Sequence, residues 1–372
     1  MLLILRKLLL SLLIMIALAL LVRLALFKGP VQAAVLLPQS PIIDMHVHVA
    51  GLGYGDSGCF TAKALEDSYK FDYYLGAFGV TETLLEQQGD QILIKRLAET
   101  VEAAAHIDGV VILAIDGVVN QQGELDRDKT QVYIPNDYIA QQADLYPSLY
   151  FGASINPYRH DALARLEKVK QQGAKLIKWI PNIQHIDPSD PRLTDFYLKM
   201  RALGLPLLSH AGQERSFTDA IDEYGDPKRL ILPLSLGVTV IAGHIATTGE
   251  SHGEDNYQRI LTLFEQYPNL YTDISSLTQI NKLGYINKAI VEPRLKGRLV
   301  YGSDFPLVNM ALVSPYYFPL NLTFNQMFEL SAIENPFERD VALKQALGIP
   351  RDIFTRSAAL LNIQAKNQLG ER

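Results

Sequence analysis

Six residues carry most of the chemistry open to this chain: His46, His48, Lys178, His210, His244 and Asp304. Each is a titratable side chain that breaks into an otherwise apolar run, as in IDMHVHV, AKLIKWI, LPLLSH, VTVIAGH and RLVYGSD. His46 and His48 stand two apart, so on an extended strand both imidazoles point the same way and can reach one ion. Four imidazoles and a carboxylate form a nitrogen and oxygen donor set that suits Zn2+ and also accommodates Mn2+, Fe2+ or Co2+. One or two divalent ions, Zn2+ foremost, are therefore expected as cofactor. A single strand histidine is an ordinary hydrogen-bonded core residue, and a single buried aspartate an ordinary turn cap. Five such residues at matching positions call for a shared cause.

The elements that must position them follow from the apolar rhythm. From Pro41 onwards, short Val/Ile/Leu-rich runs alternate with amphipathic stretches, the pattern of βα units around a parallel sheet. Strands are expected over 42–49, 109–115, 148–154, 174–180, 205–210, 238–244, 269–275 and 298–304. Helices are expected over 84–106, 136–145, 161–172, 192–203, 255–266 and 284–292, with a less regular stretch near 228–235. Residues 310–365 are expected to be helical and to pack outside the barrel or to lid one end. Eight units without a long polar linker argue for an α/β fold of the closed (β/α)8 TIM-barrel type, spanning 41–365 as one domain. All six residues then sit at or near the carboxyl ends of strands, the catalytic face of such a barrel. No glycine-rich fingerprint follows a strand, so a dinucleotide site has no support.

Composition narrows the partners. The 372 residues carry a formal net charge of −6, with 48% hydrophobic and 20% charged residues. A net acidic chain without a basic block disfavours nucleic acid and leaves a small-molecule substrate. One cysteine, Cys59, excludes a disulfide framework and a cysteine metal site. The first 33 residues differ in kind. Leu8 to Phe27 is an apolar span of bilayer length, flanked by Arg6 and Lys7 and interrupted late by Arg23, whose long side chain can reach the headgroups. It reads as an N-terminal transmembrane anchor, or as a signal peptide cleaved near Val31-Gln32-Ala33. Either places the catalytic domain in contact with a membrane or beyond it, on the periplasmic or extracytoplasmic side. Oligomeric state is not readable.

The motif set resembles the amidohydrolase superfamily, in its branch of amidohydrolase-related metal-dependent hydrolases. The resemblance rests on the His-x-His of IDMHVHV, the histidines of LLSHAG and AGHIA, and the aspartate of YGSDFP, and it extends over residues 41–365 including the TDISS run. It implies a metal-activated water attacking an amide, ester or lactone-type bond, with Asp304 as both ligand and proton shuttle. It also implies a role for Lys178, since KWIP is similar to the strand-four run of dihydroorotases, where a carboxylated lysine bridges two metals. Lys178 pairing as an ammonium with a carboxylate at the barrel mouth is the other reading. Two further functions stay open: a mononuclear non-oxidative decarboxylase, and a membrane-anchored binding protein without turnover.

Secondary expectations concern the rim. Arg159 and Arg215 follow the third and fifth strands and could grip a substrate carboxylate as bidentate forks. Tyr54, Tyr158 and Trp179 are candidate pocket walls. Asp116 either orients a ligand histidine or caps a turn. The run GLGYGDSG (51–58) reads as a mobile lid or rim. His106, His160, His185 and His252 are assigned no metal.

Overall fold

The computed structural model describes residues 2–26 and 41–364. The Val31-Gln32-Ala33 stretch and the last residue of the expected 41–365 domain lie outside the described residues. Eight parallel strands form where the apolar runs lie: β1 (Ile43–His48), β2 (Gly109–Leu113), β3 (Leu149–Gly152), β4 (Ile177–Trp179), β5 (Leu207–Ser209), β6 (Val240–Ala242), β7 (Leu270–Asp273) and β8 (Leu299–Val300). Backbone pairing runs through β1–β2–β3 and through β4–β5–β6–β7–β8. A parallel bridge between Ala153 and Ile177 joins the two sets, and another between Val47 and Phe305 closes the ring. The chain is a (β/α)8 barrel.

Closure brings the first and last strands together at the level of the chemistry. Asp304 N–H donates to the His46 carbonyl at 3.0 Å, and His48 N–H to the Phe305 carbonyl at 2.9 Å. Below them Asp44 Oδ1 accepts from the backbone N–H groups of His46 and Ser303, each at 3.0 Å. The local cause is a shift of register between Asp44 and Val47 in β1, which leaves backbone donors that a side-chain carboxylate satisfies.

Alternation along the strands sorts side chains into two layers. Trp179 on β4 faces outward and stacks against Phe196 and Tyr197 of the following helix, Thr194–Leu203. Its neighbours Leu176 and Lys178 therefore face inward. A distinct interior cluster of Met45, Val111, Leu113, Leu176, Leu208 and Ile241 fills the barrel, joined by Ala358, Leu361 and Ile363 from the C-terminal helix Arg351–Leu360 and its end. That helix closes the barrel end opposite the histidines, with Ser357 Oγ donating to the Tyr301 carbonyl at 2.9 Å. Under β8, Lys344 is fully buried. It donates to Asp340 Oδ2 at 2.7 Å and to the Gly302 carbonyl at 2.9 Å, which fixes the backbone just before Asp304.

Most helices fall at the expected places, although 310–323 forms no α-helix. The single helix expected over 84–106 is two, Glu82–Gln88 and Gln91–Glu102. Gly89 parts them with φ of 77°, a conformation that favours glycine. A helix at Lys70–Ala77 and a two-stranded hairpin of Phe60–Thr61 with Val132–Tyr133 were not anticipated, and both belong to the rim of the barrel mouth. The N-terminal helix spans Leu2–Leu26, and its Ile4–Leu21 window is long and apolar enough to cross a membrane, with none of it buried.

Because nothing in that window is packed into the barrel, a chain beginning at Gln39 should fold with an unchanged melting temperature and move from the membrane to the soluble fraction. Calorimetry and fractionation check both halves. A melting temperature lowered by more than about 4 °C, roughly 2–3 kcal/mol for a domain of this size, would make the segment structural.

Candidate metal centre

The polar side chains meet at the carboxyl ends of the strands. His46 and His48 come from β1, Lys178 from β4, His210 from just beyond β5, His244 from just beyond β6 and Asp304 from beyond β8, and all six line one cavity of about 200 Å3. The geometry unites every residue of the expected ligand set.

Hydrogen bonds behind the rings decide which nitrogens face the cavity. His46 Nδ1–H donates to Asp273 Oδ2 at 2.7 Å, which leaves Nε2 as the acceptor nitrogen on the cavity side. His244 Nδ1 lies 2.7 Å from Ser275 Oγ, whose own hydroxyl donates to Asp273 Oδ1 at 2.5 Å. The serine oxygen therefore accepts from His244, whose Nε2 is also left as an acceptor. Buried His210 turns Nδ1 towards Glu214 Oε2 at 3.7 Å, and its Nε2 has no hydrogen-bond partner. An orphaned nitrogen lone pair inside a buried site is what a cation would satisfy. Asp304 Oδ1 stands 3.6 Å from His46 Nε2 and 3.4 Å from His48 Nε2. Two atoms each about 2.1 Å from one ion, at a tetrahedral angle, lie about 3.4 Å apart, so these spacings fit a shared metal. His46, His48 and Asp304 can hold one together. Asp273 also lies close to His46 and His244, but it meets the Nδ1 side of both rings, so its role is to orient them.

Burial sets the protonation states. Desolvation pushes His46 down to about 4, with the Lys178 charge acting the same way. Burial likewise lowers His210, and holds His244 well below the usual imidazole range with the help of Lys282. The three rings are neutral at pH 7, the form that ligates. For Asp273, burial alone would raise the carboxyl, but the His46 ring and its hydrogen bond hold it well below the ordinary range. Asp304 is held low in the same way, against burial, by His244, His48 and His46. Lys178 Nζ lies 2.7 Å from His46 Nε2, and burial lowers its pKa to about 8 against the pull of Asp304.

The backbone at the ligands is unusual. His244, Ile245 and Ala246 have φ of 56°, 54° and 54°, Asp304 has 68° and Ser276 has 59°. Non-glycine residues in this region cost about 1–2 kcal/mol each. Local bonds hold them there: His244 N–H donates to Asp273 Oδ1 at 2.8 Å and Ile245 N–H to Thr272 Oγ1 at 3.0 Å. Space also tightens the site, since a Cβ at Gly302 would lie 2.9 Å from His46 Cβ.

A model of the amidohydrolase family matches residues 43–317. The chain belongs to the amidohydrolase family. Members of that family typically bind divalent metals, in keeping with the donor set. Among solved structures, this amidohydrolase is similar to an uncharacterised TIM-barrel protein from Bordetella bronchiseptica at 17% identity, covering 82% of this chain and 99% of that one, with a TM-score of 0.50. It is also similar to a putative 2-pyrone-4,6-dicarboxylic acid hydrolase from Pseudomonas putida (14% identity, 88% and 99% covered, TM-score 0.48). A third similar structure is 5-carboxyvanillate decarboxylase from Sphingomonas paucimobilis (15% identity, 88% and 100% covered, TM-score 0.48). At these identities the likeness bears on the fold alone. No curated protein matches the chain.

Several rim expectations are corrected. Arg159 does not line the cavity. Its guanidinium is buried on Asp116, with Nε 2.7 Å from Oδ2 and NH2 2.5 Å from Oδ1, because the buried carboxylate just beyond β2 needs its counter-ion. Asp116 accordingly orients no histidine; it also accepts from Gly117 and Asn156 backbone N–H groups. Arg215 does reach the mouth but spends its donors on Asp222 at 2.9 Å and Gln213 at 2.7 Å. Tyr54, Tyr158 and Trp179 are not wall residues: Tyr158 donates to Asp190, and Trp179 packs outside the barrel. The 51–58 loop is tied down by Asp90, which accepts from Leu52 N–H at 3.1 Å, Gly53 N–H at 2.9 Å and Ser57 Oγ at 2.5 Å. The residues the sequence reading missed are Asp273, Glu214 and Lys282. Asp273 had the same signal as the ligands, a carboxylate ending an apolar strand; Lys282 had none.

Two outcomes follow from this geometry. Asp273→Asn keeps the shape but loses the charge that fixes His46, and metal affinity should fall about 10–100-fold, as removal of such orienting groups does. Unchanged affinity in a chelator-competition assay would remove Asp273 from the site. The second concerns pH. Lowered imidazole pKa values mean that protons compete with a metal only as the pH falls towards those values, about 4 for His46. Three rings at an ordinary 6.5 would cost well over ~10-fold in affinity between pH 7.5 and 6.0. Calorimetric Zn2+ titrations over that window should instead give a slope of at most one proton, that of Lys178. A slope of two or three would put ordinary histidines at the centre.

Proposed function

We propose that this amidohydrolase is a metal-dependent hydrolase of small molecules, acting on an amide, ester or lactone-type carbonyl. What carries the reading is the convergence of the His46, His48, His210 and His244 rings with the Asp304 carboxylate on one cavity. These five residues would hold a divalent cation, with Zn2+ the best match to the donors, and Lys178 would join them as a bridging ligand if carboxylated. When bound, such an ion polarises a carbonyl oxygen and acidifies water near it. Asp304 has the position and charge of the proton carrier. Its Oδ1 faces His46 and His48, and its Oδ2 accepts a hydrogen bond from Ser276 Oγ. Held ionised, it can take the proton of the attacking water and return it to the leaving group. Ser276, itself bonded by Gln279 Nε2 at 2.9 Å, fixes the orientation of that carboxylate. The apolar wall of Phe71, Leu75 and Phe78 above the centre keeps water away from the reacting group.

The Leu2–Leu26 helix supports reading this domain as tethered to a membrane, or exported behind a cleaved leader, on the extracytoplasmic side. A second reaction, non-oxidative decarboxylation, would use the same residues around a single ion. Release of CO2 from aryl carboxylates, assayed beside ester, lactone and amide cleavage, separates the two reactions.

Asp304→Asn should keep most of its metal and lose about 10²–10⁴-fold in kcat, the usual cost of removing a general base. His46→Ala and His48→Ala should lose the metal itself. Near-wild-type kcat in Asp304→Asn, with metal content measured in the same sample, would move the proton transfer to another residue.

A further inference from the structure

One cation in the cavity has no role in the scheme above. Lys282 lies beyond β7, at the end of the short turn Ile280–Lys282, and is 8% exposed. The turn is fixed from both sides: Lys282 N–H donates to the Gln279 carbonyl at 2.9 Å, and Ile280 N–H to the Leu312 carbonyl at 2.9 Å. The side chain lines the same cavity as the ligand histidines. Three cationic residues line that cavity. Lys178 is bonded to His46, and Arg215 is paired with Asp222. Lys282 alone among them has no hydrogen bond or ion pair from its ammonium among the described residues. Asp304, Glu214 and Asp273 attract it without touching it. Burying an ammonium without a partner is costly, and a cation held among the histidines would repel it further.

The cavity also has an apolar lining. Leu65, Phe71, Tyr74, Leu75, Phe78 and Phe217 contribute it, most of it from the helix Lys70–Ala77 and its flanks. A ligand that satisfies both surfaces has an apolar body and a single compact anionic group. One point charge without an arginine fork suits a carboxylate better than a dianionic phosphate, which asks for more donors.

We propose that Lys282 anchors a substrate carboxylate, so that this site takes an aryl or alkyl carboxylic acid whose reacting bond lies towards Asp304. The proposal deepens the hydrolase reading and rests on it for the position of the reacting bond. The anion subsite itself can be tested without turnover.

The probes are 3-phenylpropionate and 3-phenylpropionamide, nearly equal in shape and different in charge. They are titrated calorimetrically at pH 7.5 into the full chain in detergent, both as purified and after chelation. A charged hydrogen bond of the usual strength makes the acid bind at least ~10-fold tighter than the amide to the wild type, including after chelation. Lys282→Met should bring the two affinities together, and Lys282→Arg should restore the preference. Melting temperatures verify folding, with Lys282→Gln replacing the methionine variant should that one not fold. A wild type that binds acid and amide alike after chelation overturns the proposal, as does a preference that survives loss of the ammonium. A chain that cleaves no ester, lactone or amide yet keeps this preference would sink the hydrolase reading and leave the subsite standing. Cleavage without the preference would do the reverse.

Discussion

One buried carboxylate, Asp273, governs the shape of the centre. Its Oδ2 takes the His46 ring proton, and its Oδ1 takes the His244 backbone N–H, the Ser275 N–H and the Ser275 hydroxyl. Through the serine it also fixes the tautomer of His244. Two ligand rings from different strands, and a left-handed stretch of backbone that would not persist alone, are thus held by a single side chain at the end of β7. A negative charge at that depth is tolerated because both oxygens accept hydrogen bonds and a polarised imidazole lies against it. If it were absent, the His46 and His244 rings could rotate, and two of the four candidate ligands would lose their aim.

The same burial that makes Asp273 effective makes the histidines useful. An imidazole in water spends part of its time protonated near neutral pH, and a protonated ring cannot ligate. Here the low-dielectric interior of the barrel keeps His46, His210 and His244 neutral. The apolar cluster beneath them is more than filler, since it removes the solvent that would otherwise stabilise the charged form.

The candidate ligand set was legible because two periodicities coincide. Strand alternation puts His46 and His48 on one side, and parallel strands put every carboxyl end at one mouth, so residue type and position along an apolar run were enough for His210, His244 and Asp304. All eight strands were recoverable for the same reason, although most are shorter than the apolar runs that signal them. The rim was not legible. Arg159 and Arg215 sit on the correct side of the barrel by topology, yet whether a guanidinium faces a substrate depends on which carboxylates the fold brings to it. Asp116 captures the first, 43 residues distant. Lys282 escaped notice because its burial comes from the packing of loops between 274 and 313, which no periodicity encodes. The 51–58 loop looked free because its tether, Asp90, lies outside it.

The C-terminal helix has a consequence for traffic. Ala358, Leu361 and Ile363 plug one end of the barrel, and packed aliphatic side chains fill the space between that plug and the histidines. Among the described residues that end offers no passage, so a small molecule enters and leaves through the mouth at the carboxyl ends of the strands, past the rim helix Lys70–Ala77 and the Phe60–Thr61 hairpin.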